Sequence, residues 1–225
     1  MKNLLSALRG RKKSNKIHLD AKILEEKALN DRAYLARKSV FEILGKADST
    51  QNKIVMLGDS ITNFCEWSEF FPNSNILNRG IAGDTPNGIR KRLDAVAKLK
   101  PDVIFLMIGI NCFSLCFNLN EAIETYGNML KEIRYKLPNV KLYLQSVLPV
   151  RNGANIHIPN NDNIVALNKY IDEIAPDYEA EFINIYDYFC DNTGQMKEIL
   201  AVDGIHLNGE GYKLWANEIR KYIEI

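Results

Sequence analysis

Short apolar runs alternate with longer amphipathic stretches along most of this chain. The apolar runs are bounded by polar turns, which is typical of buried strands. They predict five β-strands, at residues 53–57, 75–78, 102–108, 141–147 and 181–185. Amphipathic patterns predict helices near residues 86–98, 120–136, 161–175 and 209–223. Strands joined by helices indicate a doubly wound, flavodoxin-like parallel sheet covered on both faces, so we expect an α/β fold, a three-layer α/β/α sandwich.

The region before the first predicted strand has a different character. Residues 19–44 carry a mixed-charge helical pattern, which we interpret as an N-terminal helical extension that packs on the domain. Residues 1–17 contain basic residues and no acidic ones. Such a segment is either a solvated tail, which we favour, or an arm for anionic lipid or nucleic acid. We therefore divide the chain into a tail and extension at residues 1–47 and one α/β domain at residues 48–225.

Composition mainly excludes functions. The chain has 225 residues and a formal net charge of +1, so no overall field indicates a nucleic-acid partner. No apolar run is long enough for stable membrane insertion, and the first residues lack the apolar core of a secretory signal. We expect a cytoplasmic protein whose four cysteines are reduced thiols. None forms a Cys-x-x-Cys pair and no histidine stands near them, so no metal site is expected.

Ser60 lies just past the first predicted strand, in the run Gly58-Asp59-Ser60-Ile61. Gly58 permits a tight turn, and Ser60 then begins a helical turn whose backbone N–H groups favour developing negative charge. A hydroxyl is a weak nucleophile unless a base takes its proton. Ser60 is therefore either a catalytic nucleophile or simply the N-cap of that turn.

Two further candidate hydrogen-bond donors follow other predicted strands. Gly80 follows the second strand and Asn111 follows the third. The Gly80 N–H and the Asn111 amide, with the Ser60 N–H, could form a three-donor oxyanion hole. Each also has an ordinary explanation, as a loop glycine and a turn asparagine.

Asp203 and His206 stand three residues apart, just before the last predicted helix. Histidine side chains ordinarily titrate near pH 6.5, which suits proton transfer at neutral pH. Asp203 can accept the Nδ1–H of His206 and so fix its tautomer; alternatively, the two residues merely share a surface loop. The other histidines, His18 and His157, lie in the basic tail and a polar loop and are expected at the surface.

Ligands of open parallel sheets bind beyond the carboxyl ends of the strands. The four features above are therefore expected to meet at one edge of the sheet, a coincidence that favours a shared function over four separate explanations. Taken together they predict a serine hydrolase.

The same residues carry a resemblance to the SGNH-hydrolase superfamily, the GDSL-like lipases and acylhydrolases. Four blocks appear in order over residues 53–225; they are Gly58-Asp59-Ser60-Ile61, Gly80, Gly109-Ile110-Asn111 and Asp203-x-x-His206. The run at residues 78–84, with Glu66-Trp67 upstream, further resembles the branch that includes platelet-activating-factor acetylhydrolase-like and sialate or sugar O-acetylesterase proteins.

The resemblance implies an α/β/α fold with no metal and no organic cofactor. It implies Ser60 as nucleophile, His206 as base and Asp203 as its orienter, with the Ser60 N–H, the Gly80 N–H and Asn111 as oxyanion donors. One position departs from the pattern, because Cys112 stands where Asp is common after the block asparagine; this brings the loop 112–118 and the substrate pocket into question. The Gly-x-Ser-x-Gly pattern is also absent, which argues against the ordinary α/β-hydrolase fold.

We therefore expect a serine esterase that removes a short acyl group, with acetyl favoured, from a small-molecule or carbohydrate ester. An acyltransferase that passes the acyl group to a sugar hydroxyl, or a glycan-binding relic without turnover, remains an alternative. Aromatic candidates for the acyl pocket are also candidates for ordinary packing; they are Phe64, Trp67, Phe113 and Phe117. Arg79 can bind an anionic substrate group or form a structural ion pair, and the N-terminal helix is a candidate homodimer element.

Overall fold

The computed structural model describes residues 23–28, 31–44, 52–115, 117–151 and 159–223. The basic tail, His18, His157 and Cys116 lie outside the described residues. Five strands form one parallel sheet in the order β2-β1-β3-β4-β5. The strands are β1 (Ile54–Gly58), β2 (Ile76–Gly80), β3 (Val103–Met107), β4 (Lys141–Gln145) and β5 (Ala180–Ile183). Each predicted strand is present, and the α/β prediction is confirmed.

Helices connect and flank the strands. They are α1 (Arg32–Leu44), α2 (Ser60–Asn63), α3 (Trp67–Phe70), α4 (Pro86–Lys98), α5 (Ile110–Ser114), α6 (Leu119–Lys136), α7 (Asn161–Ile174), α8 (Tyr186–Phe189) and α9 (Gly209–Ile223). The longer helices begin where polar side chains accept orphan N–H groups. Asn118 and Glu121 form a capping box at α6, and the Thr85 hydroxyl accepts from the Gly88 N–H at α4.

Two apolar cores cover the two faces of the sheet, because successive strand residues point to opposite sides. Val55 and Leu57 of β1 pack with α4, α6 and α7. Met56 packs on the other face with α2, α3, α8 and α9, where Trp215 is fully buried. β1 is buried along its whole length, as a central strand of a parallel sheet should be. The predicted three layers are therefore present.

The N-terminal extension is divided into two pieces. The sequence pattern predicts one helix over residues 19–44, whereas the described part is a helical segment at residues 23–28 followed by α1. Asp31 explains the new start, because its side chain accepts the Ala33 N–H at 2.8 Å as an N-cap does. The buried side chains of α1 are Tyr34 and Phe41, which pack with Ile81 in a small separate cluster.

Two further properties concern cysteines and membranes. Cys65, Cys112 and Cys190 are free thiols. Among the described residues, no helix combines the length and apolarity that crossing a bilayer requires.

Candidate active site

Ser60 lies at the first turn of α2, directly after the carboxyl end of β1. Asp59, rather than Ser60, is the N-cap: its Oδ1 accepts the Ile61 N–H at 3.0 Å. This removes the interpretation of Ser60 as a capping residue and leaves its hydroxyl available. Ser60 is 6% exposed, so its hydroxyl is largely shielded from solvent.

His206 reaches Ser60 from the far end of the chain. The His206 Nε2 lies 3.0 Å from the Ser60 Oγ, and the His206 Nδ1 lies 2.7 Å from the Asp203 Oδ2. A carboxylate can only accept, so the proton between Asp203 and His206 belongs to Nδ1. Nε2 is then the acceptor for the hydroxyl of Ser60. The structure thus joins the three predicted residues in one hydrogen-bonded chain, the arrangement of a Ser-His-Asp triad.

Asp203 is held as a carboxylate by its neighbours. Burial raises its pKa, but hydrogen bonds from the His206 side chain and from the backbone N–H groups of His206 and Ile205 outweigh burial, and the pKa lies below its ordinary value. Asp203 Oδ1 accepts those two N–H groups at 2.8 and 3.0 Å. The negative charge that orients the imidazole therefore persists throughout the neutral range.

Arg151 fixes the loop that carries this pair. Its backbone N–H donates to the Gly204 carbonyl at 2.9 Å. Its guanidinium forms an ion pair with Asp191 at 2.7 Å. Sequence reasoning missed Arg151, because nothing local marks a backbone group that contacts a loop some fifty positions later.

Asn111 lies in α5, beyond the carboxyl end of β3. Its side-chain Nδ2 donates to the Asp84 carbonyl at 2.9 Å. An amide nitrogen has two N–H donors, so this bond orients the group and leaves one donor for a ligand. The Ser60 N–H is also unused by the hydrogen bonds among the described residues.

Gly80 does not fit its predicted role. Its N–H donates to the Asn78 Oδ1 at 2.9 Å, two positions earlier in the chain. Gly80 is required for steric reasons, because any side chain there would collide with the backbone of Asn63. The glycine is thus explained by the close packing of β2 against α2, and its N–H is already occupied.

Gly83 has the properties that Gly80 lacks. It adopts φ +78°, in the left-handed region that favours glycine. A Cβ atom at this position would have no other heavy atom within 4 Å, so the surrounding space is open. No hydrogen bond among the described residues uses its N–H. Gly83 directly precedes Asp84, whose carbonyl holds Asn111. Sequence reasoning considered one glycine of this loop, and the structure leaves the other one with a free donor.

A buried ion pair lies beneath these donors. Asp84 is fully buried and contacts Arg92 at 2.7 Å, and Arg92 also donates to the Gly58 carbonyl at 3.2 Å. Burial raises the pKa of Asp84 in spite of the Arg92 charge. Burial likewise raises the pKa of Asp59, to about 7. The turn that carries Ser60 and the loop that carries Gly83 are joined by this pair.

Most of the aromatic residues that the sequence offered for an acyl pocket are instead buried in the packing of the fold. Trp67 is 1% exposed and its indole N–H donates to the Thr62 carbonyl at 3.0 Å. Phe117 packs in a small cluster with Cys112, which is fully buried, and Phe113 packs against the same cluster. Phe64 alone of the four aromatics is exposed, with its ring centroid 5.6 Å from that of His206.

Cys112 and Arg79 are likewise buried within the fold. The Cys112 thiol faces the interior between α5 and α6, and burial raises its pKa, so it is an inert packing group. Arg79 is buried, lies over the Phe41 ring at 4.7 Å and donates to the Asn78 carbonyl. Arg79 therefore contacts the N-terminal extension through Phe41.

Comparison with known proteins gives the same picture. The sequence profile of the GDSL-like Lipase/Acylhydrolase family matches residues 56–214. A multidomain esterase of Ruminococcus flavefaciens is 30% identical over 61% of this chain, although the match spans only 18% of that relative. The isoamyl acetate-hydrolyzing esterase of Saccharomyces cerevisiae is 21% identical, over 76% of this chain and 86% of the relative.

A solved structure from Streptococcus pneumonia, described as a candidate platelet activating factor, is 27% identical. It covers 91% of this chain and 98% of its own, with a TM-score of 0.79. The profile match includes the residues around Ser60, Asn111 and His206, and it extends over most of the chain. The chain therefore belongs to the GDSL-like lipase/acylhydrolase family and is a carboxylic ester hydrolase.

Proposed function

We propose that this chain is a serine esterase that removes a short acyl group, acetyl in the first place, from a small-molecule or carbohydrate alcohol. One observation carries the proposal: the unbroken chain from the Ser60 Oγ through the His206 ring to the Asp203 carboxylate. A relic that only binds glycans has no reason to keep these three groups in bonding order. The geometry therefore supports turnover over binding alone.

The first half-reaction transfers the acyl group to the enzyme. His206 Nε2 accepts the proton of Ser60 while Oγ attacks the ester carbonyl carbon. The tetrahedral intermediate collapses as the protonated imidazole gives that proton to the departing alcohol oxygen. Asp203 stabilises the imidazolium throughout. In the second half-reaction, His206 takes a proton from water, the resulting nucleophile attacks the acyl-Ser60 carbonyl, and the carboxylic acid leaves with Ser60 restored.

The oxyanion of both intermediates needs donors that are already in position. We assign this role to the Ser60 N–H, the free N–H of the Asn111 amide and the Gly83 N–H. The last of these replaces Gly80, whose N–H is taken by Asn78. Preorganised donors of this kind are typically worth about 10²–10³ each in turnover.

The surroundings of Ser60 favour a short acyl group. Of the aromatics that could line an acyl pocket, Trp67 and Phe117 are buried in packing and only Phe64 stands beside the imidazole. Among these four aromatics, a long acyl chain would meet one exposed ring beside the imidazole. The yeast relative that hydrolyses isoamyl acetate supports the choice of acetyl.

The test compares p-nitrophenyl acetate, butyrate and octanoate as substrates of the wild type and of Ser60→Ala. We expect turnover to fall with chain length and to be lost in Ser60→Ala, with wild-type rates in the matched control Ser68→Ala, an exposed serine on α3. Equal rates for Ser60→Ala and the wild type would refute the proposed nucleophile. A preference for octanoate would refute the short acyl group.

A second measurement separates hydrolysis from transfer. Reaction products are analysed with and without an added sugar acceptor, using the acetyl ester as donor. Free acetate in both cases is the expected result, because the His206 side chain is 32% exposed and can meet water from the solvent. Quantitative appearance of an acetylated sugar would identify the chain as an acyltransferase that uses the same Ser60.

A further inference from the structure

Three side chains of the N-terminal extension hold the loop 80–85, which follows β2. The Arg37 Nε donates to the Gly80 carbonyl at 2.6 Å, and the Tyr34 hydroxyl donates to the Asp84 Oδ1 at 3.2 Å. Glu25 accepts the Thr85 hydroxyl at 2.6 Å. The extension thus binds this loop near its start, near its end and at its last residue.

This loop carries the parts of the oxyanion hole that are not on α2. Gly83 has the unused N–H, and the Asp84 carbonyl orients the Asn111 amide. The Asp84 carboxylate also pairs with Arg92, which donates to the Gly58 carbonyl next to the nucleophile turn. Any displacement of the loop would therefore move two donors relative to Ser60.

Helix α1 also packs against the loop 80–85 through its apolar side chains. Its two buried side chains are Tyr34 and Phe41, and both cluster with Ile81 of the loop. Phe41 also lies under the Arg79 guanidinium at the end of β2. A helix whose only task was to cover the sheet would bury apolar residues against several strands, whereas this one is exposed at Leu35, Val40 and Ile43.

Arg37 occupies its place at an electrostatic cost. Burial and the neighbouring positive charge of Arg92 lower its pKa, and the negative charge of Glu66 offsets only part of this. A cation kept half-buried near a second cation is unfavourable unless its position serves another end. Here its Nε donates to the Gly80 carbonyl, at the start of the segment that carries Gly83.

We propose that the N-terminal extension is a positioning element of the oxyanion hole, in which Arg37 and Tyr34 act as positioning residues that keep the loop 80–85 in its catalytic geometry. The proposal rests on the proposed function, since it concerns the donors for the same Ser60 reaction. Neither residue touches the substrate; each acts through the backbone and carboxylate that it holds. Loosening the loop should lower kcat more than it raises KM, because these donors act mainly on the transition state.

The experiment uses the full chain and four variants: Arg37→Met, Arg37→Lys, Tyr34→Phe and the control Arg32→Met, an exposed arginine on the same helix. Active sites are titrated with a fluorophosphonate, so that kcat for p-nitrophenyl acetate is expressed per reactive Ser60. A merely structural role would lower the titrated fraction and the melting temperature, and leave kcat per site unchanged.

We expect Arg37→Met to lower kcat per site roughly tenfold, a part of what losing a whole donor costs, with little change in KM. Arg37→Lys should recover part of the loss because a lysine can still donate to the Gly80 carbonyl. Tyr34→Phe should lower kcat only roughly threefold, since Arg92 and the Thr85 N–H still hold the Asp84 carboxylate when the Tyr34 hydrogen bond is lost. The acid side of the pH profile should keep its position in every variant, because His206 is not affected.

Wild-type kcat per titrated site in Arg37→Met and Tyr34→Phe would overturn the inference while leaving the esterase proposal intact. Full turnover in Ser60→Ala would instead overturn the esterase proposal itself, so the two failures are distinguishable. If Arg37→Met does not fold, Arg37→Lys and Tyr34→Phe decide the matter by the same readout.

Discussion

The two halves of the active site are stabilised in opposite ways. The acid–base half lies on an exposed loop, where the Asp203 and His206 side chains are 52% and 32% exposed and Asp203 is held by hydrogen bonds from within residues 203–206. The oxyanion half lies over the fully buried Asp84 and is held by residues up to 60 positions away in the chain. The exposed half can exchange protons with water and product, whereas the buried half must present fixed dipoles. This contrast predicts that changes in the two halves have different signatures.

The largest effect is expected in the acid–base half. His206→Ala and Asp203→Asn should each lower kcat by about 10³–10⁴, because the base is removed in the first and its tautomer is no longer fixed in the second. Steady-state kinetics with p-nitrophenyl acetate measures this, and Glu210→Gln, an exposed acid on α9, is the control. A loss of less than tenfold in Asp203→Asn would show that Asp203 does not orient the imidazole.

The oxyanion half is tested next by Asn111→Ala. We expect kcat to fall by about 10²–10³, since one preorganised donor is lost. The pH profile should keep its shape, which separates this variant from those of the acid–base half. Asn120→Ala, an exposed asparagine at the start of α6, is the matched control and should retain wild-type kcat. A pH profile that moves in Asn111→Ala would contradict the division into two halves.

The pH dependence of the wild type sharpens the contrast. Because hydrogen bonds hold the pKa of Asp203 below its ordinary value, that carboxylate stays ionised as the pH falls through the neutral range. The proposed role of His206 requires a neutral imidazole, because a protonated imidazole cannot accept the Ser60 proton. Activity should fall below about pH 6 with the slope of a single proton. A flat profile, or a slope of two protons, would contradict this assignment.

A smaller effect distinguishes Gly83 from Gly80 as oxyanion donor. Gly83→Ala should lower kcat roughly tenfold, because alanine resists the left-handed backbone and tilts the N–H that we assign to the oxyanion. Gly194→Ala is a close match: Gly194 has φ +74° and, like Gly83, open space around a built Cβ, but it lies on a different loop. Equal kcat in the two variants would remove Gly83 from the hole.

The last and smallest prediction concerns the stability of the fold and its dependence on the buried Asp59, next to Ser60. The pKa of Asp59 is raised to about 7, so the folded state favours the protonated carboxyl, and stability falls as the pH rises from the ordinary range of an aspartate toward pH 7. Asp59→Asn keeps an acceptor for the Ile61 N–H and cannot ionise. The difference in unfolding free energy, Asp59→Asn minus wild type, should therefore increase by roughly 2 to 4 kcal/mol as the pH rises over that interval. Urea unfolding across the interval measures the difference, and a constant difference would contradict the buried charge.

The sequence was sufficient for the acid–base half for a physical reason. Asp203 and His206 are three residues apart, so their mutual bond is local, and Ser60 follows an apolar run that predicts a buried strand. Parallel sheets bring the ends of their strands to one edge, which made the long-range meeting of Ser60 with His206 predictable.

The oxyanion half depended on contacts that no local pattern reveals. Gly80 and Gly83 stand in the same loop, and only the structure shows that Asn78 takes the N–H of Gly80. The Asn-x-Gly spacing was a usable signal, since asparagine side chains often bond the backbone two residues on. Arg37 and Tyr34 looked like ordinary residues of a mixed-charge helix, because their partners lie 43 and 50 positions later.

The most direct test of the account is the site of covalent labelling. The wild type is treated with a fluorophosphonate probe, digested and analysed by mass spectrometry, beside His206→Ala. We expect one adduct, on Ser60, formed readily in the wild type and lost in His206→Ala. Labelling of another residue, or equal labelling of Ser60 in both proteins, would contradict the claim that the imidazole activates this hydroxyl.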